Sequence, residues 1–535
     1  MAGRKEEVPP AYAYDMPDLH DEKPTGTIVK EEAVHSVALT EALAMGAKPS
    51  IWSKSMLQLY AIMAVGYLVS TLNGYDSSLM GAINAMKSYQ STFGLSGDGS
   101  STGIIFIIYN CGQIAAFPFC GFLADGYGRR ICIFVGCALV LVGTAVQTTA
   151  HTTEQFIGGR FVLGFGALPD PHTLLNWLIR ATVAQWLECI TTIVWWLGNI
   201  VAGWTTYGTD KNFPGSSWAW RIPTLIQCVM PAIVMCLILF FPESPRWLIM
   251  KDRREEAIAV LAKYHGDGNP QAPIVELQVR EIVADMSVTR NDNPWLDFKE
   301  LFYTGAARYR LYMVILMSFF GQWSGNNVIS YFLPKMIEAA GITSSSTQLL
   351  INAINPIFSL IAAVYGATLL DKLGRRVMLM AGLIGALGSY VLLTAFTATS
   401  SSNPDMAYGT IVSIYLFGIF FAWGWTPLQT LYAVECLENR TRAKGSGLNF
   451  LFLNVAMIVN TYGISVGIAK IGWKLYLVYI VWICVELVTV YFFFVETKGK
   501  TLEELSEVFE APNPRKASTM KVKVAVTQSG YVLQA

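Results

Sequence analysis

Apolar residues run along this chain in blocks rather than alternating with polar ones. A helix needs roughly 20 mostly apolar residues to cross the hydrocarbon layer of a bilayer, and stretches of that length recur here between short Gly, Pro, Lys and Arg punctuation. The pattern predicts spans near 56–80, 102–124, 131–150, 155–177, 186–208, 222–241, 311–334, 347–370, 376–397, 408–433, 445–468 and 473–495. Twelve such spans describe an all-α membrane protein. Residues 1–54 are acidic, contain Pro and lack apolar periodicity, so they read as a disordered tail and not as a cleaved signal peptide. Residues 497–535 form a second polar tail.

Between the sixth and seventh spans, the segment "RWLIMKDRREEAIAVLAKYHGDGNPQAPIVELQVREI" has the Ala/Leu/Ile spacing of short amphipathic surface helices. It makes 246–310 a linker between two halves of six spans each, 55–245 and 311–496. Basic residues cluster in alternate loops, after spans two, eight, ten and twelve and in the linker. The positive-inside bias therefore puts both termini and the linker in the cytoplasm.

Composition agrees: hydrophobic residues make up 53% of the chain and charged residues 14%, and a mean hydropathy of +0.42 is too high for an ordinary soluble domain. A formal net charge of zero suggests no nucleic-acid partner. The nine cysteines stand singly without metal-ligand spacing, so no metal and no cofactor is expected.

The halves repeat each other. "DGYGRR" after span two answers "DKLGRR" after span eight, and "PESPRW" after span six answers "VETKGK" after span twelve. A lone G-R-R could be loop anchoring, but two motifs recurring in the same order indicate duplication. Duplication with an even number of spans places the halves side by side around a substrate path.

With these motifs in hand, the chain resembles the sugar porters of the major facilitator superfamily (MFS), and is similar to fungal hexose and lactose-permease-type members. The residues that carry the resemblance are "NGYDSSLMG", "GFLADGYGRR", "GRFVLGFG", "PESPRWLI", "GQWSGNNVISYFLP", "LLDKLGRR", "TRAKG" and "VETKGKTLEEL", in order over nearly the whole chain. The resemblance implies an alternating-access transporter of a hexose, or of a disaccharide such as lactose, seated in the plasma membrane as a monomer. The charged loop motifs make physical sense as a cytoplasmic latch. Asp125 and Asp371 close helix ends at which Arg129, Arg130, Arg375 and Arg376 can pair with Glu243, Glu435 or Glu496, with Arg246 and Arg442 beside them. Modest ion pairs suit a device that must open and close.

One stretch departs from the family. After the fourth span, members carry a segment resembling "AGPAYVVELAHPxxRGT", and the second half keeps its counterpart in "YAVECLENRTRAKG", with Glu435 seven residues before Arg442. The first half has "HTLLNWLIRATVAQWLECITT" from His172 instead, and sets Asp170, Arg180 and Glu188 in and around it. Back-translated and read one base earlier, that string yields "YVVELAHPGNRGTVAGMYNN" under permissible codons, with a glutamate seven residues before an arginine. Residues 168–192 are therefore expected to be an out-of-frame reading. As written, the chain lacks the first-half latch partners and places charges near the start of span five, at about 2.5–3.5 kcal/mol each for a charge at a span's centre and less toward its end.

Sugars are held by side chains that both donate and accept hydrogen bonds, with aromatic faces against the ring. Span seven supplies Gln322, Asn326, Asn327 and Tyr331, a polar density that suits a cavity lining. By resemblance Gln322 and Asn327 match two sugar-contacting amides, while Gly321 stands where many members carry a second glutamine. Asn355, Trp425, Thr430 and Asn454 are further candidates that could equally be packing contacts. Asp76, the one carboxylate in the body of span one, and Arg160 in "GRF" face each other in the family's proton-coupled members. The resemblance thus implies sugar:proton symport, with a passive facilitator as the alternative and a non-transporting sensor as a third reading. An enzyme has no support, because His20, His35, His151, His172 and His265 fall outside the spans or in the anomalous stretch.

The out-of-frame reading predicts a base change or a retained intron edge near each end of residues 168–192 when the transcript is sequenced across codons 165–195. Finding the codons of the written sequence in frame, together with robust transport by that protein, would refute it.

Overall fold

The apolar blocks become helices that carry their own backbone hydrogen bonds, as a lipid-facing chain requires. The computed structural model describes residues 52–95, 99–167, 184–266, 268–290, 298–400, 403, 405–438, 441–500, 502–520, 524–526 and 532–534. The first half contains α1 (Lys54–Ile83), the short α2 (Lys87–Phe93), α3 (Gly99–Tyr127), α4 (Arg129–Thr148), α5 (Thr153–Gly166) and α6 (Ala184–Asn212). Its sixth span is built from two pieces, α7 (Trp218–Ile226) and α8 (Val229–Ile238). Residues 168–183, which hold most of the anomalous stretch and Arg180, lie outside the described residues.

Short helices α9 (Pro245–Met250), α10 (Arg254–His265), α11 (Pro273–Arg290) and α12 (Glu300–Tyr303) follow in the linker. The second half contains α13 (Gly305–Trp323), α14 (Asn326–Ala339), α15 (Ser345–Leu373), α16 (Arg375–Ser400), α17 (Met406–Gly424), α18 (Leu431–Cys436), α19 (Arg442–Ile471) and α20 (Leu475–Phe493). The C-terminal tail adds α21 (Leu502–Glu510), α22 (Pro514–Thr519) and a pair of three-residue antiparallel strands, Val524–Val526 and Val532–Gln534. Among the described residues, eight helical segments are long and apolar enough to cross a membrane, and the last, Lys444–Phe493, holds both α19 and α20.

Three spans expected to be continuous are broken. The sixth breaks at Gln227 and Cys228, just after Pro223 in α7. The seventh breaks at Ser324 and Gly325, where Gly325 takes a left-handed φ of 100° that a side chain would oppose. There Tyr390 Oη donates to the Gly325 carbonyl at 2.9 Å. The tenth stops at Gly424, and a turn containing Pro427 leads to α18. Periodicity alone does not reveal these breaks, because each depends on partners from other helices.

Glycines let the helices approach. A Cβ at Gly74 would fall on the Trp195 carbonyl and one at Gly198 on that of Thr71, which draws α1 against α6. Across the two halves α6 packs on α15, α3 on α19 and α1 on α14. At the end away from the G-R-R turns the closure is tight. A Cβ on Gly81 of α1 would lie 2.6 Å from the Ser330 carbonyl oxygen of α14. The Phe106 ring of α3 meets those of Tyr331 and Phe332 at 5.3 and 5.2 Å.

A methyl at Gly164 would land on the Tyr109 carbonyl, where α3 and α5 touch, whereas one at Gly208 of α6 meets nothing within 4 Å. Gly164→Ala should lower stability by about 1–3 kcal/mol, and Gly208→Ala should raise it by roughly 0.5–1 kcal/mol through the unfolded state. Thermal unfolding in detergent checks both, and equal effects would refute the close α3–α5 approach.

Candidate functional site

Asp76 and Arg160 meet inside the first half. Arg160 Nη1 donates to Asp76 Oδ1 at 2.8 Å, with the two side chains only 3% and 5% exposed. Position explains the meeting: Asp76 lies on the buried face of α1, and the glycines of α5 let Arg160 come in close to α3. The guanidinium lies 5.1 Å from the centre of the Tyr109 ring, and Tyr109 Oη accepts from Gln113 Nε2 at 3.2 Å. Gln227 Nε2 also donates to Asp76 Oδ1. That residue comes from the break between α7 and α8, and sequence reasoning missed it. Its signal was an amide in an apolar span just after a proline.

An ion pair so enclosed is costly to split, since removing one partner leaves the other charge buried, typically at about 3–5 kcal/mol. Arg160 Nε and Gln227 Oε1 are buried without partners, which leaves a donor and an acceptor ready for a rearranged network.

The break in the seventh span gathers the amides expected there. Asn327 Nδ2 donates to Gln322 Oε1 at 3.3 Å, and Ser330 Oγ approaches Asn326 Oδ1 at 3.5 Å. Tyr331 is buried against Phe106 of the opposite half. The space over Gly321 is taken by Gln429 from the α17–α18 turn, whose Cδ would lie 2.7 Å from a Cβ there. A glutamine from another helix thus stands next to the position where the resemblance led us to expect one. Asn460 of α19, also missed, donates from Nδ2 to the Gln322 carbonyl and accepts from Tyr479 Oη at 2.8 Å.

The remaining candidates are dispersed. Asn355 of α15 has its Oδ1 buried without a partner, an acceptor open to a ligand hydroxyl. Asn454 spends its Nδ2 on the Phe450 carbonyl at 3.0 Å and leaves Oδ1 unpaired. Trp425 is fully buried. It donates to the Leu379 carbonyl at 3.2 Å and stacks on Phe421, so here it packs α16 against the α17 end. Thr430 is exposed at the start of α18.

The charged motifs form a duplicated end-cap. Glu243 accepts from the backbone N–H groups of Arg129 at 3.0 Å and Arg130 at 3.4 Å. Glu496 accepts from those of Arg375 at 2.9 Å and Arg376 at 3.1 Å. The expected pairing of these two glutamates with guanidinium groups is thereby corrected. They cap the orphan N–H groups at the starts of α4 and α16, where a negative charge also suits the helix dipole. Gly128 and Gly374, at φ of 99° and 92°, leave room for each carboxylate. Asp125 takes part through its backbone carbonyl, which accepts from the Trp247 indole at 3.1 Å, next to Arg246 in α9.

In the second half the motif side chains pair as well. Arg375 grips Glu435 with Nη2 at 2.9 Å and Nε at 3.2 Å and reaches Asp371 at 3.3 Å. Thr497 donates to the same Glu435. Arg442 opens α19. No group of three or more metal-ligating side chains occurs among the described residues.

A two-half helical fold with broken spans at its centre and a buried acid–base pair defines a membrane transporter. A family profile described as "Sugar (and other) transporter" matches residues 62–509, and the chain belongs to that family of MFS sugar porters. An MFS-type transporter of Aspergillus cristatus is 26% identical over 454 residues, covering 84% of this chain and 93% of its own. A high-affinity glucose transporter of Kluyveromyces lactis is 27% identical over 493 residues, with 85% and 86% covered. A probable quinate permease of Aspergillus flavus is 23% identical over 480 residues, with 85% and 88% covered. The fold matches the xylose transporter XylE from E. coli in a partially occluded inward-open conformation, at a TM-score of 0.69 and 19% identity over 83% of this chain and 99% of that one. These relatives are carriers and not enzymes.

Gln322→Ala and Asn327→Ala should each weaken binding of a transported sugar by roughly 1–3 kcal/mol, because ligand hydroxyls lose partners in a buried site. Competition against radiolabelled uptake checks this, and unchanged apparent affinity for both would assign these amides to packing.

Proposed function

We propose that this carrier moves a hexose, or a disaccharide such as lactose, across the plasma membrane by alternating access, in symport with a proton. The observation that carries the reading is the buried Asp76–Arg160 pair at 2.8 Å. An intramembrane ionisable pair is expensive and marks a coupling site. In the paired state the carboxylate is ionised and held. Once Asp76 is protonated, Arg160 is freed and the contacts among α1, α5 and the α7–α8 break can rearrange, which ties proton occupancy to conformation. The substrate would be held at the broken seventh span by Gln322, Asn326, Asn327 and Tyr331, with Asn355 and Asn454 as further contacts. Monomeric operation, with both termini in the cytoplasm, completes the reading.

A relative named for glucose and a structural neighbour titled a proton:xylose symporter, bound to a bromo-deoxyglucose, support a pyranose ligand. A relative named for quinate makes a hydroxylated ring acid the competitor to include in any panel.

The test uses proteoliposomes of the frame-restored protein with an imposed proton gradient and labelled D-glucose, D-xylose, lactose and quinate. The parent should accumulate one of them against its gradient. Asp76→Asn, a mimic of the protonated form, should lose accumulation while keeping downhill exchange, and its uptake should no longer respond to external pH. A parent that only equilibrates substrate, or an Asn variant that accumulates as well as the parent, would make the protein a facilitator with a structural Asp76.

A further inference from the structure

A second carboxylate lies inside the membrane-spanning region, and nothing above uses it. Glu486 sits in the middle of α20, in the apolar run "VWICVELVTVYFFF". The inward stripe of this helix is Tyr476, Tyr479, Ile483, Glu486 and Val490, so Glu486 points into the protein, while Val481, Val485 and Val488 are exposed on other faces. It is 0% exposed, and among the described residues neither carboxyl oxygen makes a hydrogen bond of normal geometry. The polar group that faces it is the indole N–H of Trp482, one turn earlier and equally buried.

No counter-charge is at hand. The elements that pack on α20 include α13, α16, α19 and the 3-10 turn Gly472–Lys474, with α22 setting Arg515 over Tyr491 and Phe492 at the C-terminal end of α20, and their charged residues lie at their ends. These are Arg308 and Arg310 on α13, Arg375 and Arg376 on α16, Arg442, Lys444 and Lys470 on α19, and Lys474 in the turn. The titratable groups along their lengths are phenols: Tyr309 and Tyr312 on α13, Tyr390 on α16 and Tyr462 on α19, with Tyr476, Tyr479 and Tyr491 on α20 itself. Cys484 of α20 is exposed. An ionised carboxylate there would have neither solvent nor counter-charge, so the group must be the neutral acid.

The surroundings also connect it to the broken seventh span. Tyr479, two turns from Glu486 on the same stripe, donates to Asn460, which in turn holds the Gln322 carbonyl. Trp482 packs on Trp323 at 5.2 Å and on Phe320 at 6.2 Å, in the last turns of α13. A shift of α13 at the substrate region therefore reaches the packing that shields Glu486.

We propose that Glu486 is a second proton-binding site, in the C-terminal half, which holds its proton while α13, α19 and α20 are packed as here and exchanges it with water when movement at the α13–α14 break loosens them. The step is a simple acid dissociation, with the proton passing to water and the carboxylate left hydrated in the opened packing. The proposal does not rest on the role given to Asp76.

Infrared spectroscopy of the purified full-length protein at neutral pH tests it, comparing parent and Glu486→Gln, each with and without Asp76→Asn. The parent should show the carbonyl band of one protonated carboxylic acid that Glu486→Gln loses, whatever stands at position 76, and the band should shift after incubation in D2O. Glu486→Gln should keep the parent's thermal midpoint, since one neutral group replaces another. Any of three results overturns the proposal: the two proteins differ by carboxylate bands, the acid band persists in Glu486→Gln, or it fails to shift in D2O and so exchanges no proton. Because the readout does not depend on uptake, failure of the Asp76 symport reading would show in the liposome assay and leave this result standing.

Discussion

A polar group inside a lipid-embedded helix bundle must find its partner within the protein, and much of this structure follows from how that is met around Asp76. Its carboxylate is satisfied by Arg160 and Gln227, drawn from two other spans. One of them is broken at the residue that makes the contact. Arg160 reaches α1 because glycines bring α5 against α3, and its guanidinium rests on Tyr109. Both bonds fall on Asp76 Oδ1, and among the described residues Arg160 Nε and Gln227 Oε1 are left spare.

The same constraint shapes the motif-bearing end. A helix that starts at the membrane boundary exposes N–H groups with no carbonyl to receive them. Both halves solve this by bringing a distant glutamate from after their last span onto the first turn of α4 or α16. The cap ties the start of the third span of each half to the segment that follows its sixth. Contact between the halves then falls to α1 with α14, α3 with α19 and α6 with α15. The C-terminal tail joins the second half's assembly through Arg310, which donates to Ser506 at 3.0 Å and stacks on Phe509 of α21.

Spans, halves and duplicated loops were legible because hydropathy and repeated motifs depend on local composition. So was the pairing of Asp76 with Arg160, through resemblance. What stayed hidden depends on the third dimension. The helix breaks at Gln227, Gly325 and Pro427 follow from what packs beside them, and they set the directions of Gln227, Gln429 and Asn460. Trp425 reads from the sequence as either a sugar contact or a packing residue, and its neighbours make it a packing residue between α16 and α17 in this conformation. Glu486 was visible as a lone acid in an apolar run, a signal that needed only the rule that such acids are costly.

The two halves match in their caps and differ in one respect that bears on residues 168–192. In the second half the arginine after the glycine turn is gripped by Glu435, seven residues before Arg442. Its first-half counterpart, Arg129, has the same backbone cap from Glu243, yet its Nη1 is buried and unpaired among the described residues. A buried guanidinium nitrogen needs an acceptor, and by the duplication the segment that would supply it falls at residues 168–183, outside the described residues. The one-base-shifted reading supplies a glutamate seven residues before an arginine in the segment where the first-half partner of Arg129 belongs. A carboxylate there would give Arg129 the acceptor that Glu435 gives Arg375.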